Sequence, residues 1–387
     1  MRLTQRVSGI SLSMTLALDA RAKALAAGGR DVINMSVGEP DFPAPAAARE
    51  AACDTVLSGA VRYTPAGGTP ALRRAIAEHL SRTRGVPFGP EQVIVCHSTK
   101  HALSGAILAL VEPGDEVILT LPAWVSYDEM IRIAGGTPVS VEPRPDCGPD
   151  FDRIQAAMTP RTRALLLNSP CNPTGYVWTR AEVERLAGLC AERGVAILSD
   201  EIYRRLVYEG EPNPSPVSCG DAARTATVIV DGASKAFAMT GYRIGFVAGL
   251  PAVVSAVERL HSHLVGAPNT VGQAAYLAAL ASSGGEPPEV ADMAAEFDRR
   301  RRYLLEQLDA MGLATPRPRG AFYAFPDVSR WLDERGSAGF CEDLLENQAL
   351  ALVPGSAFGV DTHVRLSYAL SVERIAEACE RLHRRLG

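Results

Sequence analysis

A chain of 387 residues exceeds one typical domain, so two structural lobes are the starting expectation. Its 47% hydrophobic and 21% charged residues are ordinary for a globular protein, and a formal net charge of −5 argues against nucleic acid or an anionic membrane as the main partner. Eight scattered cysteines without a C-x-x-C pair exclude a disulfide framework and suit a reducing cytoplasm. Among seven histidines no zinc spacing stands out, because His261 and His263 are two apart and cannot share a helix face, so no metal is expected.

The first 21 residues carry a mild apolar patch broken by polar residues, with no cleavage pattern. No segment reaches the roughly 18 apolar residues of a membrane span, so a cytoplasmic protein is expected. From about 92 to 250, short apolar runs at 92–96, 116–120, 137–141, 162–168, 195–199, 226–230 and 244–248 read as strands. Helical stretches at 102–111, 180–192 and 251–265 intervene. Continuous apolar strands between helices predict a three-layer α/β/α domain with a mostly parallel sheet. The stretch Ser283-Gly284-Gly285-Glu286-Pro287-Pro288-Glu289 is a break, followed by a charged helix over 290–311 and short strands at 321–325, 350–353 and 364–367. The expected organisation is a large domain over 46–284 and a smaller α+β domain made of 1–45 and 285–387. There are no internal repeats.

In open α/β sheets ligands sit beyond the carboxyl ends of the strands, so the polar residues there carry the argument. Ser98, Thr99 and Lys100 follow the first of these strands and open a helix, which makes either a phosphate cup or a plain N-cap. Trp124 follows the second and offers a flat face for stacking or for core packing. Asn168 closes another strand before the turn-rich Ser169-Pro170-Cys171-Asn172-Pro173-Thr174-Gly175. Asp200 ends 195–199 and precedes Glu201-Ile202-Tyr203; a buried aspartate there needs a cation, a donor or a structural ion pair. Lys235 follows 226–230 in Asp231-Gly232-Ala233-Ser234-Lys235-Ala236-Phe237, and Arg243 stands eight positions on. A lysine desolvated beside a core strand either snorkels out or keeps a lowered pKa, and a neutral amine condenses with carbonyls such as that of pyridoxal 5'-phosphate (PLP). Arg365 interrupts the apolar Val364-Arg365-Leu366-Ser367, as a carboxylate clamp or an edge salt bridge.

Taken together, the chain resembles the fold-type I PLP enzymes, specifically class I aminotransferases of the bacterial aspartate aminotransferase-like branch. The resemblance runs from Ser36-Val37-Gly38-Glu39-Pro40-Asp41-Phe42 through Asn168–Gly175, Ser199-Asp200-Glu201-Ile202-Tyr203 and Ser234-Lys235-Ala236-Phe237-Ala238-Met239-Thr240-Gly241-Tyr242-Arg243 to Val364-Arg365-Leu366-Ser367-Tyr368. It implies that Lys235 holds PLP covalently and shuttles the proton. It also implies that Asp200 pairs with the pyridine nitrogen, and that Asn172 and Tyr203 donate to the phenolate oxygen. Arg243, Ser98 and Thr99, with Lys100 beside them, hold the phosphate, and Trp124 stacks on the ring. Arg365 takes the substrate α-carboxylate with the backbone of Gly38 and the side chain of Asn172. Tyr63 is similar to a tyrosine that reaches the phosphate from a neighbouring subunit, which implies a homodimer with shared sites.

Departures are Gly232, where members often have a serine, and the Ser98-Thr99 pair, where relatives often have a glycine. His97 and Cys171 have no assigned role and are read as packing residues. For the side-chain pocket the resemblance points to Lys100, Ser13 and Thr15 around a distal carboxylate. Aspartate or glutamate with 2-oxoglutarate or oxaloacetate is therefore expected. Aromatic, prephenate or alanine-type transamination, another PLP reaction such as β-elimination or decarboxylation, and remotely a PLP-sensing regulator share the scaffold.

Overall fold

A computed structural model describes residues 3–11, 14–210, 212–282 and 287–387. The runs of Val, Ile and Leu become the strands of one seven-stranded sheet. Its members are β2 (Val93–Cys96), β3 (Glu116–Thr120), β4 (Thr137–Val141), β5 (Thr162–Asn168), β6 (Ala196–Asp200), β7 (Thr227–Gly232) and β8 (Gly245–Ala248). A short β1 (Ile33–Asn34) precedes them outside this sheet. The order across the sheet is β2-β8-β7-β6-β5-β3-β4.

Both faces of the sheet are covered, and the alternation of side chains along each strand supplies both layers. In β2, Val93 and Val95 join the core beneath the helices Pro70–Arg84 and Thr270–Ala281. Ile94 and Cys96 point the other way, into the core shared with Thr99–Leu110 and Pro251–Leu264. A third core packs Ile118, Leu165 and Ile197 under the helix Arg180–Arg193. That helix begins with a reciprocal cap between Thr179 and Glu182 and stops at left-handed Gly194.

The expected three-layer domain with a mostly parallel sheet is what forms, with one reversal. β8 runs antiparallel to both β2 and β7. Only 12 residues (245 − 232 − 1) separate β7 from β8, and they carry the Lys235 turn in place of a crossover helix. A chain that turns back so soon enters antiparallel.

The second lobe has the long helix Pro288–Ala310, a three-stranded sheet and the helices Gly336–Gln348 and Val372–Leu386. Its strands are β9 (Tyr323–Ala324), β11 (Val353–Pro354) and β12 (Val364–Ser367), in the order β11-β12-β9. The expected strand over 350–353 divides instead. β10 (Leu350–Ala351) pairs in parallel with β1, while β11 pairs with β12. The expected strand over 321–325 shrinks to two residues because Ala321 adopts a left-handed φ of 56°, which breaks a ladder. The core of this lobe includes Phe297, Phe322, Tyr368 and Leu382, and it reaches across to Ile202 and Tyr203 just after β6. That continuity sets the second lobe directly over the carboxyl ends of the large sheet.

No helix of the described residues is long and apolar enough to cross a membrane.

Candidate active site

Between the lobes lies a cavity of about 350 Å³, at the carboxyl ends of the strands. Lys235, Asp200, Tyr203, Asn172, Ser98, Thr99, Lys100, Trp124, Arg243, Arg365, Gly38 and Thr15 all line it. Residues from ends of the chain more than 300 positions apart thus meet in one place. Ser13 lies outside the described residues. Tyr63 does not line this cavity and is 99% exposed.

The floor is built by neighbouring strands. Parallel register sets Asn168 beside Asp200 at the ends of β5 and β6. Asp200 is buried, and its carboxylate accepts from the Tyr127 hydroxyl at 2.8 Å and from the backbone N–H of Ile202 at 3.2 Å. Burial pushes this carboxyl up to about 6, against the lowering effect of those two donors. Asn168 donates its amide to the Asp200 carbonyl at 3.2 Å and accepts from the Asn172 backbone at 2.9 Å, which anchors the loop after β5. Trp124 meets Tyr127 edge-on, with ring centroids 5.2 Å apart.

Lys235 follows β7 in the turn and donates to the carbonyl of Gly38. Burial, opposed by the charge of Glu39 and reinforced by Arg365 and Arg243, brings its amine down to about 8. Gly38 is obliged to lack a side chain, since a Cβ there would stand 2.6 Å from the Tyr323 hydroxyl. Tyr323 in turn shares a 2.8 Å hydrogen bond with the Tyr203 hydroxyl.

At the other end, the Ser98 side chain caps the helix Thr99–Leu110 by accepting from the His101 N–H at 3.3 Å. Capping and an open helix start therefore coexist, because the hydroxyl takes one N–H while others face the cavity end. Two glycines let strands press against this turn. A Cβ on Gly245 would stand 2.3 Å from the Thr99 nitrogen, and one on Gly232 would stand 2.6 Å from Thr99 Oγ1. Gly232, which departs from the resemblance, is therefore needed for close packing against Thr99. Arg243 holds a left-handed φ of 56° and donates to the Thr240 carbonyl at 2.8 Å.

Arg365, in β12, is 3% exposed. It donates to Asn172 Oδ1 at 2.9 Å and to the Ser36 carbonyl at 2.6 Å, with its guanidinium 4.4 Å from the Tyr323 ring centroid. No carboxylate among the described residues pairs with it, and its Nε lacks a partner there. Lys100 sits with its ammonium 4.8 Å from the Trp124 centroid and 3.3 Å from Ser126 Oγ. Burial and the charge of Arg243 lower its pKa.

The sequence of this chain matches the family described as aminotransferase class I and II over residues 30–382. The chain belongs to that family. The aminotransferase is 44% identical to the aspartate/prephenate aminotransferase of Thermus thermophilus, covering 100% of this chain and 99% of that one. It is 40% identical to the aspartate aminotransferase of Geobacillus stearothermophilus, over 99% and 98% of the two chains. Among solved structures it is similar to aspartate aminotransferase from Thermus thermophilus with maleate, at a TM-score of 0.95 and 42% identity over 100% of both chains. Aminotransferases of this family use PLP.

The sequence reading of the aminotransferase missed several residues of the cavity wall, among them Tyr127, Tyr323 and Asn168. Tyr127, three positions after Trp124, carried a signal only once Trp124 was placed. Tyr323 lies inside an apolar run, where a tyrosine reads as core. Asn168 was noted as a strand end, but its two-sided bonding depends on the β5–β6 register.

Proposed function

We propose that this aminotransferase binds PLP in the cavity and moves the α-amino group of aspartate or glutamate to 2-oxoglutarate or oxaloacetate. Arg365 carries the reading. A guanidinium this buried, without a carboxylate partner among the described residues, is costly unless an anion completes it. A substrate α-carboxylate is that anion, held in the planar bidentate manner that arginine favours. Lys100 and Arg243 likewise lack a carboxylate among the described residues, which leaves cations for a distal carboxylate and for a phosphate.

The residues present fit the cofactor. The start of the helix Thr99–Leu110, where Ser98, Thr99 and Arg243 line the cavity, suits a phosphate, and Gly232 and Gly245 let the strands behind it pack against Thr99, where a Cβ would clash. When bound, PLP supplies an aldehyde for the amine and a ring that draws electrons from the substrate α-carbon. Lys235, whose amine burial brings to about 8, would hold the aldehyde and could carry the proton at that carbon. Asp200, its carboxylate oriented by Tyr127, would face the ring nitrogen. Because Asn172 Oδ1 is turned to Arg365, its amide N–H would be left to donate to the ring oxygen, with the Tyr203 hydroxyl lining the same cavity. Trp124 would lie against the ring, and Thr15 borders the cavity.

Tyr63 is read as a contribution to the site of a second copy. Val61, two residues before it, is also exposed, as are Leu264 and Val265, and Thr270 near the latter segment donates to the Arg62 carbonyl. Exposed apolar side chains near a fully exposed tyrosine suit a homodimer. The eight free cysteines fit a cytoplasmic setting.

Single-turnover half-reactions of the PLP-loaded enzyme with aspartate, glutamate or alanine test the substrate, with Lys100→Ala alongside the wild type. Selective loss on aspartate and glutamate is expected; equal loss on alanine would remove the distal-carboxylate role. Prephenate is the second reading, favoured because the Thermus relative is named for it and because it too brings a second carboxylate to Lys100.

A further inference from the structure

Behind the helix start that faces the cavity, three side chains from distant parts of the chain converge. Cys96 closes β2, His101 stands on the first turn of the helix Thr99–Leu110, and His261 comes from the helix Pro251–Leu264 packed against it. One ligand atom from each, the Cys96 Sγ and a ring nitrogen of each histidine, lies within 4.8 Å of the others. None of the three lines the catalytic cavity.

The bonding of these groups is incomplete. His261 is 1% exposed, yet neither of its ring nitrogens has a hydrogen-bond partner among the described residues. The Nδ1 of His101 has none either. These two rings thus account for three of the six buried side-chain atoms left without partners in the described residues. The rings meet edge to face at 4.8 Å, and the Cys96 thiol contacts backbone, reaching the Ile94 carbonyl of its own strand at 4.0 Å. A core histidine ordinarily finds a partner for each nitrogen.

We propose that Cys96, His101 and His261 form a site for a divalent transition-metal ion of zinc-like preference. One thiolate and two imidazoles suit zinc or cobalt(II) in tetrahedral geometry. Ligand atoms around such an ion stand about 3.3–3.8 Å apart, so side-chain rotation must close the trio by roughly 1 Å. Binding releases the Cys96 thiol proton to solvent. The ion then pins the end of β2 and the start of the helix that carries Ser98 and Thr99 to the helix Pro251–Leu264.

The test uses the holoenzyme, freed of adventitious metal by dialysis against a chelator and titrated with cobalt(II) chloride. The expected result is one cobalt per chain, with a thiolate-to-cobalt charge-transfer band and the strong visible bands of a tetrahedral ion. Cys96→Ala and His261→Phe lose these bands, whereas His263→Phe, on the exposed side of the same helix, keeps them. Zinc chloride displaces the cobalt and raises the unfolding temperature of the wild type but not of Cys96→Ala. A wild type without the thiolate band at one equivalent overturns the proposal, and so does a band that survives in Cys96→Ala. Should His261→Phe fail to fold, the wild-type spectrum and Cys96→Ala decide the matter.

Discussion

At the scale of single residues, the cavity is governed by desolvation. With its amine brought to about 8 from an ordinary value near 10.5, Lys235 is about half neutral at pH 8. Capture of PLP by cofactor-free protein should therefore quicken with rising pH and level off above a midpoint near 8. Stopped-flow absorbance reads this directly; a midpoint near 10 would show that the amine is not desolvated. Lys235→Ala should lower turnover by roughly 10²–10⁴-fold, the usual range for a positioned acid–base group, and should abolish the yellow colour that borohydride bleaches. Asp200 shows the cost of keeping such a group. Its folded pKa of about 6 lies above the ordinary 3.8, so the native state binds more protons between these values. The stability it contributes is complete below about pH 3.8 and is lost as pH rises through about 6. Cofactor-free Asp200→Asn should thus be more stable than the wild type at pH 8, by about 1–3 kcal/mol, and should lose that advantage near pH 4. Urea denaturation at the two pH values measures the difference, and activity should fall in the same variant.

Secondary-structure elements bring these residues to the cavity by ending where they do. Asp200 and Asn168 reach the cavity because β6 and β5 terminate in register, and Ser98 because β2 gives way at once to a helix. The close approach of β8 to that helix requires glycine. At Gly245 an added methyl group would meet backbone on the other side, with no flexible side chain to give way. Gly245→Ala should cost about 1–3 kcal/mol or more through overpacking and should weaken PLP binding, read by thermal unfolding and by absorbance titration. Gly188, inside the helix Arg180–Arg193, has open space where a Cβ would go. The same substitution there should stabilise by about 0.5–1 kcal/mol and leave cofactor affinity unchanged. Opposite signs for one chemical change would show that contact, and not glycine content, sets the outcome.

For the molecule as a whole, the cavity exists because the second lobe closes over the sheet, and the proposed pairing of two copies adds the partner's Tyr63. Sedimentation should show a dimer. Mixing unfolded Lys235→Ala with Tyr63→Ala chains and refolding them together should yield hybrids more active than either parent. Hybrids with no gain would mean that each site is complete within its own chain. Part of this organisation was readable beforehand. The strands at 116–120 and 162–168 matched because apolar runs bounded by turn residues leave few choices, and those at 137–141 and 364–367 because apolar and β-branched residues alternate with polar ones there. The antiparallel entry of β8 and the splitting of 350–353 between two sheets were not readable, since direction and partner are properties of the sheet and not of any one strand.

By itself the sequence determined the elements, the fold and the cast of the cavity, because strand ends are local events and the motifs around Asp200, Lys235 and Arg365 lie within short segments. Only the tertiary structure decided which groups are left without partners. Among the described residues, Arg365 without a carboxylate, and Cys96 with two imidazoles of which three ring nitrogens lack partners, are facts about residues far apart in the chain. Spacing of histidines along the sequence gave no hint of that cluster, and the expectation of no metal rested on spacing alone. Burial and partnership depend on what packs against a side chain from elsewhere, and that is settled only when the chain has folded.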